Sequence, residues 1–403
     1  MDRGVRHPAR GLAGDEEAPD GARRSRERAV GLRAQRIPGG GAPDRGRRAT
    51  ALRRGVTEAG INRLALHAVH EALGATFRLR GGWRLPESYG DSEDEYARLR
   101  SNAVAFDRSD RTRLLVSGTD AGTVLGVVFG DAAEELEEGR TVRATALDPR
   151  GRIADLALVA RTGGIAYIVM GEPGRGATTM AMLEDAVGEG YDVAIQDRTA
   201  TTCLVGIAGP GAAEAAARHV NEDLPPRLPS MHASPFEFHG YRALAVRTSS
   251  VGEDGFEFMV APPVAEHLLG LLQGSGVGLA GAGAQEIARI EAGVPAFTPD
   301  LETGLTPAEA RLSEVLGLPT EEPTRVLSAL LFEGSEAPPV GTPALADEQV
   351  VGELRSCAFS FALDAAAGLA ILNRNRSHPG TAISVGGARA LVAQRPLYRR
   401  RKT

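Results

Sequence analysis

A short turn that carries two neighbouring carboxylates is the first feature of this sequence that could do chemistry. Gly252 and Gly255 bracket Glu253 and Asp254, and an apolar strand beginning at Phe256 follows. A tight turn of this kind can point a carboxylate inward, where it accepts a pair of hydrogen bonds from an amidine-like ligand edge. The same pattern is equally typical of an ordinary hairpin tip, so the turn alone leaves both interpretations open.

The end of a predicted helix at 283–292 is the second candidate, because it carries a cation and an anion close together. Arg289 lies off the apolar face of this helix, Glu291 follows it, and Gly293 supplies a helix stop. The default interpretation is a structural ion pair. The alternative is that the guanidinium binds an anionic ligand.

The remaining chemistry-bearing patterns indicate no site. Residues 171–178 are spaced like a phosphate-binding loop, but Ala177 stands where the loop lysine should be. The histidines between 219 and 239 lack the spacing of zinc ligands, so we predict no metal site. Cys203 and Cys357 lie in apolar surroundings and are interpreted as small core residues.

The elements that must position these residues alternate between strands and helices without a strict βαβ rhythm. Apolar or alternating runs predict strands at 114–116, 153–159, 165–170, 203–207, 243–246 and 256–260. Helical periodicity predicts helices at 57–75, 118–128, 176–187, 211–220, 263–273 and 283–292. This order predicts an α+β fold with mostly antiparallel sheets.

Composition divides the chain into four parts. Residues 1–55 are rich in Arg, Gly, Ala and Pro without an apolar period, and we expect them to be a disordered extension. Two explanations stay open for this extension: a basic arm that binds nucleic acid, or a misassigned start codon with the true start near Val56. Residues 56–317 are predicted to form a globular region of two subdomains, 318–342 a proline-containing linker, and 343–403 a small β-barrel-like domain.

Charge and hydropathy exclude several classes of partner for the body of the chain. Residues 1–55 hold 14 arginines against seven acidic residues, whereas the whole chain has a formal net charge of −6, so the body is acidic. An acidic body argues against a nucleic-acid groove. No apolar run approaches the roughly 18–20 residues of a membrane helix, and the N-terminus lacks the apolar region of a secretory signal. We therefore expect a cytoplasmic protein with no nucleic-acid or membrane partner.

A series of short motifs follows one order along about residues 85–398. The motifs are Tyr89-Gly90-Asp91, Phe106-Asp107-Arg108-Ser109, Phe129-Gly130-Asp131, Gly209-Pro210-Gly211-Ala212, Gly252-Glu253-Asp254-Gly255-Phe256-Glu257, Arg289-Ile290-Glu291-Ala292-Gly293 and Pro396-Leu397-Tyr398. Their types and order resemble the glycine-cleavage aminomethyltransferase family (the T-protein) and its folate-binding relatives.

The resemblance implies a three-domain cloverleaf around a central channel that binds tetrahydrofolate, and aminomethyl transfer to that folate as the reaction. It implies that Asp131 is the catalytic carboxylate near the reactive pterin nitrogens. Glu253 would bind the aminopyrimidine edge of folate, Asp254 and Glu291 would belong to the same cofactor site, and Arg289 would support it. A lipoyl carrier protein is the implied donor of the aminomethyl group.

The sequence departs from the family pattern at three places beside the implied site. Ser109-Asp110 stands where the family has Ser-His, Phe129-Gly130 where it has Thr-Asn, and Ser249-Ser250-Val251 where it has Gly-Tyr-Thr. One alternative is therefore a non-catalytic folate-binding protein that supports iron–sulfur protein assembly or repair, although the Lys-Gly-Cys signature of that branch is absent. A second alternative is a paralogue that has lost its ligand and serves as a scaffold.

Overall fold

The computed structural model describes residues 60–318 and 322–399. The helices are α1 (His67–Ala72), α2 (Ser92–Ser101), α3 (Ala121–Phe129), α4 (Asp131–Glu134), α5 (Gly176–Asp185), α6 (Ala212–His219), α7 (Leu224–Arg227), α8 (Pro262–Gly274) and α9 (Ala282–Ala292), with a π-helical segment at Phe297–Leu301 and a 3-10 turn at Arg374–Arg376. The strands are β1 (Asn62–Arg63), β2 (Thr76–Arg80), β3 (Trp83–Ser88), β4 (Val104–Asp107), β5 (Thr112–Ser117), β6 (Thr141–Leu147), β7 (Ile153–Gly163), β8 (Ala166–Gly171), β9 (Ala194–Asp197), β10 (Cys203–Ala208), β11 (His232–Phe238), β12 (Tyr241–Arg247), β13 (Gly255–Val260), β14 (Gly278–Leu279), β15 (Arg325–Phe332), β16 (Pro343–Ala346), β17 (Gln349–Ser360), β18 (Ala365–Asn373), β19 (Ala382–Val385) and β20 (Ala388–Ala393).

Four sheets organise these strands. A three-stranded sheet has the order β1-β3-β2, a six-stranded sheet β11-β12-β13-β10-β4-β14, and a five-stranded sheet β6-β7-β8-β5-β9. The C-terminal strands close a barrel in the order β15-β18-β17-β16-β19-β20. Only β1 with β3 and β14 with β4 pair in parallel within the described chain, so the predicted α+β fold with mostly antiparallel sheets is confirmed.

Apolar packing joins the sheets to one another. Side chains of β7 and β8, including Leu158 and Ile168, pack against Leu204 and Val246 of the six-stranded sheet. On the other side, a cluster around Ile153 contacts the barrel strands β15 and β18. The ends of β4, β7 and β8 are therefore brought towards a common centre, where the site lies.

The helices that flank this centre have clear local causes. The side chain of Asp91 caps α2 by accepting a hydrogen bond from the backbone N–H of Glu93 at 2.8 Å. Acidic residues in the first turn of α2 are also favoured by the helix dipole. At the other end of the site, α9 stops at Gly293, whose left-handed φ of +69° suits glycine.

The predicted linker at 318–342 is wrong, because β15 lies inside it. This strand carries a continuous apolar run that is buried on both faces, as β10 does, but the prolines around it are typical of a connection. The prolines of this segment that the structure describes, Pro323, Pro338 and Pro339, lie in the connections on either side of the strand. The barrel accordingly begins at Arg325, ahead of the predicted boundary at 343.

Two further expectations concern the N-terminal part. The helix predicted at 57–75 is shorter, since β1 occupies Asn62–Arg63 and α1 covers only His67–Ala72. The extension predicted at 1–55 lies outside the described residues. In the part of the chain that is described, no helix is long and apolar enough to cross a membrane.

Candidate functional site

A cavity of about 420 Å³ lies where the sheets, α9 and the barrel meet. Its size falls within the range of small-molecule sites. Its polar wall includes Arg80, Tyr89, Asp107, Arg108, Asp110, Arg111, Arg143, Glu172, Ser250, Gln285, Glu286 and Arg289, and apolar residues such as Leu156, Leu158 and Val251 complete it. The predicted central channel thus has a counterpart in a partly apolar cavity with converging charged groups.

The turn after β4 forms one wall and is held rigidly. Asp107 accepts hydrogen bonds from the backbone N–H of Ser109 at 2.8 Å and from the Ser109 hydroxyl. Its other oxygen lies 3.0 Å from Nε2 of the buried His70, whose Nδ1 is 2.8 Å from the Tyr89 hydroxyl. This chain of bonds fixes the residues at 108–111 relative to the cavity.

A buried ion pair forms the adjacent wall. The Glu172 carboxylate accepts a hydrogen bond from Arg111 through one oxygen and from the backbone N–H of Phe297, at 3.2 Å, through the other. Beneath it, Asp155 accepts the Glu172 backbone N–H at 3.0 Å and the Thr179 hydroxyl at 2.6 Å. Burial raises the pKa of Asp155. Glu172 is therefore fixed from both its side chain and its backbone.

Arg143 of β6 lines the cavity and forms no ion pair with a carboxylate of the described chain. Its Nη2 donates to the Thr248 hydroxyl at 3.2 Å and to the Ser249 carbonyl at 2.9 Å, both neutral acceptors. In the described part of the chain, no carboxylate forms an ion pair with Arg143. Burial lowers the pKa of Arg143, and the nearby charge of Arg111 lowers it further.

The side chain of Glu257 in β13 is a buried carboxylate without a hydrogen bond to the described residues. Its side chain is buried, with 1% of the residue exposed, and neither carboxylate oxygen has a hydrogen-bond partner in the described chain. The nearest cation is Nε of Arg108 at 3.9 Å, too far for a hydrogen bond. Burying an unbonded carboxylate costs several kcal/mol, so such groups are typical of sites that a ligand completes.

Asp110 is a half-buried carboxylate in the cavity wall. Burial raises its pKa to about 6, with Asp107 and Glu172 adding to the increase and Arg108 and Arg111 opposing it. The sequence marks Asp110 only as a departure from the family pattern and Glu257 only as the last residue of a motif, and it predicts no role for either. A carboxylate between two phenylalanines of a buried strand is rare, and this context was the available signal for Glu257.

Arg289, near the end of α9, lies in the cavity wall. It donates to Asp300 at 2.7 Å, to Glu286 at 2.8 Å and to the Ser356 hydroxyl at 2.7 Å. Burial lowers the pKa of Arg289, but Glu286 and Asp300 more than offset this and raise it above the usual value. The guanidinium is thus held by protein anions and supports the wall.

Glu253 and Glu291 come together, but around a cation of the protein. Arg100 of α2 donates to Glu253 at 2.7 Å and also to Glu291. Glu291 accepts a further hydrogen bond from the Tyr96 hydroxyl at 2.8 Å and is fully buried. Neither glutamate is among the residues that line the cavity, and their predicted contacts with a ligand stay a prediction.

Asp254 and Asp131 also lie away from the cavity. Asp254 pairs with Arg247 at 2.6 Å, and 44% of its side chain is exposed. Asp131 is an exposed residue at the start of α4, on the far side of a glycine that ends α3. The turn after α3 exposes Asp131 to solvent, so this residue does not line the cavity, and its catalytic role stays a prediction.

Two family models match this chain. The model described as the GCVT N-terminal domain matches residues 66–319, and the glycine cleavage T-protein C-terminal barrel domain matches residues 325–398. The second match covers the barrel strands from β15 to β20.

Curated relatives and a solved structure are similar over most of the chain. An aminomethyltransferase of Streptomyces avermitilis is 30% identical over 365 residues, covering 84% of this chain and 98% of that protein. An aminomethyltransferase of Cutibacterium acnes is 28% identical over 368 residues, covering 84% of this chain and 99% of that protein. The crystal structure of glycine cleavage system aminomethyltransferase T from Bartonella henselae superposes with a TM-score of 0.74 at 23% identity, covering 84% of this chain and 98% of that one.

Proposed function

Because the chain belongs to the glycine cleavage T-protein family, we propose that it transfers a one-carbon unit from an aminomethyl group to tetrahydrofolate. The N-terminal family model alone spans residues 66–319, and the barrel model spans most of the remainder. The similar curated proteins are aminomethyltransferases over nearly their whole length. This favours aminomethyl transfer over the alternative of a non-catalytic protein for iron–sulfur assembly.

The unbonded carboxylate of Glu257 is the observation that carries the proposal. The aminopyrimidine edge of a pterin presents two N–H donors side by side, and a carboxylate accepts such a pair through its two oxygens. Glu257 is not itself among the residues that line the cavity, but both its carboxylate oxygens lack a hydrogen-bond partner in the described chain, and Arg108, the cation 3.9 Å from it, lines the cavity. The role that the sequence suggested for Glu253 is thus proposed for Glu257, four residues further along the same motif.

The fixed carboxylates of the wall are proposed to assist the transfer electrostatically. Bound tetrahydrofolate supplies the two nitrogens that accept the one-carbon unit. Asp107 and Glu172 are held by His70 and Arg111 and need no reorganisation during the reaction. Preorganised negative charge in a partly desolvated cavity stabilises the positive charge that develops at the transferred carbon, typically by a few kcal/mol.

A second cavity is the proposed entry for the donor. It has a volume of about 750 Å³ and shares Gly81, Pro173 and Thr298 with the first cavity. A lipoyl carrier protein is the proposed partner, because its aminomethylated arm is long and thin enough to enter such an opening while the carrier body stays outside.

Turnover with a defined donor tests the proposed function. The protein is incubated with an aminomethylated lipoyl carrier and tetrahydrofolate, and ammonia and methylene-tetrahydrofolate are measured together. We expect both products in equal amounts, and none when the carrier lacks its aminomethyl group. Bound folate without release of ammonia would contradict aminomethyl transfer and favour a binding role.

Asp131→Asn tests the predicted catalytic role of Asp131. Because Asp131 is exposed and outside the cavity, we expect turnover and the Kd of tetrahydrofolate to stay within about twofold of the wild type. The measurement is steady-state ammonia release at saturating carrier. A loss of turnover on the order of 100-fold, the usual effect of removing a catalytic acid or base, would restore Asp131 to the site.

A further inference from the structure

Asp110 lies in the cavity wall, where it can contact a bound substrate. It lies on the turn that Asp107 and Ser109 fix by hydrogen bonds, and its side chain lines the cavity. Among the described residues, no hydrogen bond or ion pair engages its carboxylate, whereas Asp107 and Glu172 in the same wall are bonded through both oxygens. Asp110 is thus the wall carboxylate that remains available to a ligand.

The groups that face Asp110 come from several elements. Arg108 and Arg111 flank it on its own turn, and Asp107 precedes them. From the segment after β8, Glu172 faces it, while Glu172 also neutralises Arg111 through their ion pair. Arg143 of β6 lines the same cavity. Arg108 and Arg111 stabilise the ionised form of Asp110 in the partly buried wall. Asp107 and Glu172 favour its protonated form.

The burial of Asp110 and the charges around it give its carboxyl a pKa that suits proton transfer near neutral pH. Burial raises the pKa of Asp110 to about 6, whereas an ordinary Asp titrates near 3.9. An imidazole, the commonest catalytic base, has an ordinary pKa near 6.5. An aspartate with this pKa therefore exchanges protons in nearly the same pH range as a histidine.

We propose that Asp110 is a catalytic base of this cavity, which takes up a proton at its carboxylate during transfer and hands it to the released ammonia. This inference rests on the proposed function. Before the transfer, the same carboxylate accepts a hydrogen bond from the ammonium group of the aminomethyl donor and so orients the group that leaves.

Atoms and protons balance in this scheme. The donor enters as a thioether that carries –CH₂–NH₃⁺, and its carbon–nitrogen bond breaks with the electron pair remaining on nitrogen. The methylene carbon forms bonds to two acceptor nitrogens, and the carbon–sulfur bond breaks to leave a thiol. The two protons lost from those nitrogens end on sulfur and, by way of Asp110, on ammonia, which departs as ammonium and leaves the carboxylate as it began.

Three variants and two readouts test the inference. Because the base must be ionised, turnover of the wild type is full above pH 6 and falls as the pH drops through about 6. This fall is the acidic limb of the pH–rate profile.

Asp110→Asn keeps the shape of the side chain but removes the base. We expect kcat to fall by about 100-fold, the acidic limb to vanish and the Kd of tetrahydrofolate to stay within about twofold. Asp110→His restores a titratable base, and we expect it to recover kcat to within about tenfold of the wild type and to regain an acidic limb. Asp110→Leu, which restores neither charge nor hydrogen bond, is expected to match Asp110→Asn in rate.

The second readout does not depend on turnover. Infrared difference spectra of the unliganded protein should show a protonated carboxyl band that disappears with a midpoint of about 6 and is missing in Asp110→Asn. An active wild type with an equally active Asp110→Asn variant would overturn this inference alone. An inactive wild type that still binds tetrahydrofolate would overturn the proposed function and this inference with it.

Discussion

Glu257→Gln is expected to weaken tetrahydrofolate binding by about 100-fold, equivalent to about 2.7 kcal/mol. The substitution keeps the shape of the side chain, but it replaces one acceptor oxygen by a donor and removes the charge, so the paired N–H donors of the aminopyrimidine edge lose both charge-assisted hydrogen bonds. The unliganded protein should not lose stability, because the wild-type carboxylate is buried without a hydrogen bond. Calorimetric titration measures the Kd, and urea unfolding measures the free energy of unfolding.

Weaker folate binding without a loss of stability distinguishes a ligand contact from a structural residue. A structural glutamate would lose stability on substitution and would affect binding only through misfolding. Glu266→Gln on α8 is the matched control, since this glutamate is exposed, and neither quantity should change by more than about 0.5 kcal/mol. A Glu257→Gln protein that is less stable but binds folate as the wild type does would contradict the account.

Arg100→Met is expected to lower the free energy of unfolding by roughly 3–5 kcal/mol. This arginine neutralises Glu253 and Glu291 at once, and both glutamates are almost fully buried. Its loss leaves two carboxylates in a protein interior with only the hydroxyl of Tyr96 and similar neutral donors nearby. Urea or thermal unfolding measures the change.

Arg218→Met provides the control for Arg100→Met. Arg218 pairs with Glu214 at 2.8 Å on α6, but both side chains are about two-thirds exposed, at 67% and 70%. An exposed helix pair contributes on the order of 0.5 kcal/mol or less, so the two arginine variants should differ by several kcal/mol. Equal effects would show that Glu253 and Glu291 do not depend on Arg100, and would reopen their interpretation as ligand contacts.

The helices and the mostly antiparallel sheets could be predicted from the sequence, because both have strong local patterns. The helix predicted at 263–273 is found at Pro262–Gly274, and that at 283–292 at Ala282–Ala292. Both have a clear apolar face and a defined end. The sequence does not reveal the strand β15, because the prolines on either side of its apolar run are typical of a connection, whereas the similar run of β10 has a nearby proline on one side only.

The candidate site was harder to predict, because motif order does not determine which way a side chain points. Within the motif from Gly252 to Glu257, the turn carboxylate Glu253 faces Arg100, while Glu257 on the following strand is buried without a hydrogen bond. Arg289 lies in the cavity wall, but its partners Glu286 and Asp300 could be known only from the packing of α9. Asp131 shows the same limit: the left-handed conformation of Gly130, at φ +88°, turns the chain so that this residue is exposed.

A crystal structure of the protein with 5-formyltetrahydrofolate would test the central claim most directly. We expect the pterin in the cavity of about 420 Å³, with its aminopyrimidine edge bonded to both Glu257 oxygens and Asp110 facing the reactive side of the ring. A folate bound elsewhere, or one in this cavity with Glu257 still unbonded, would contradict the account.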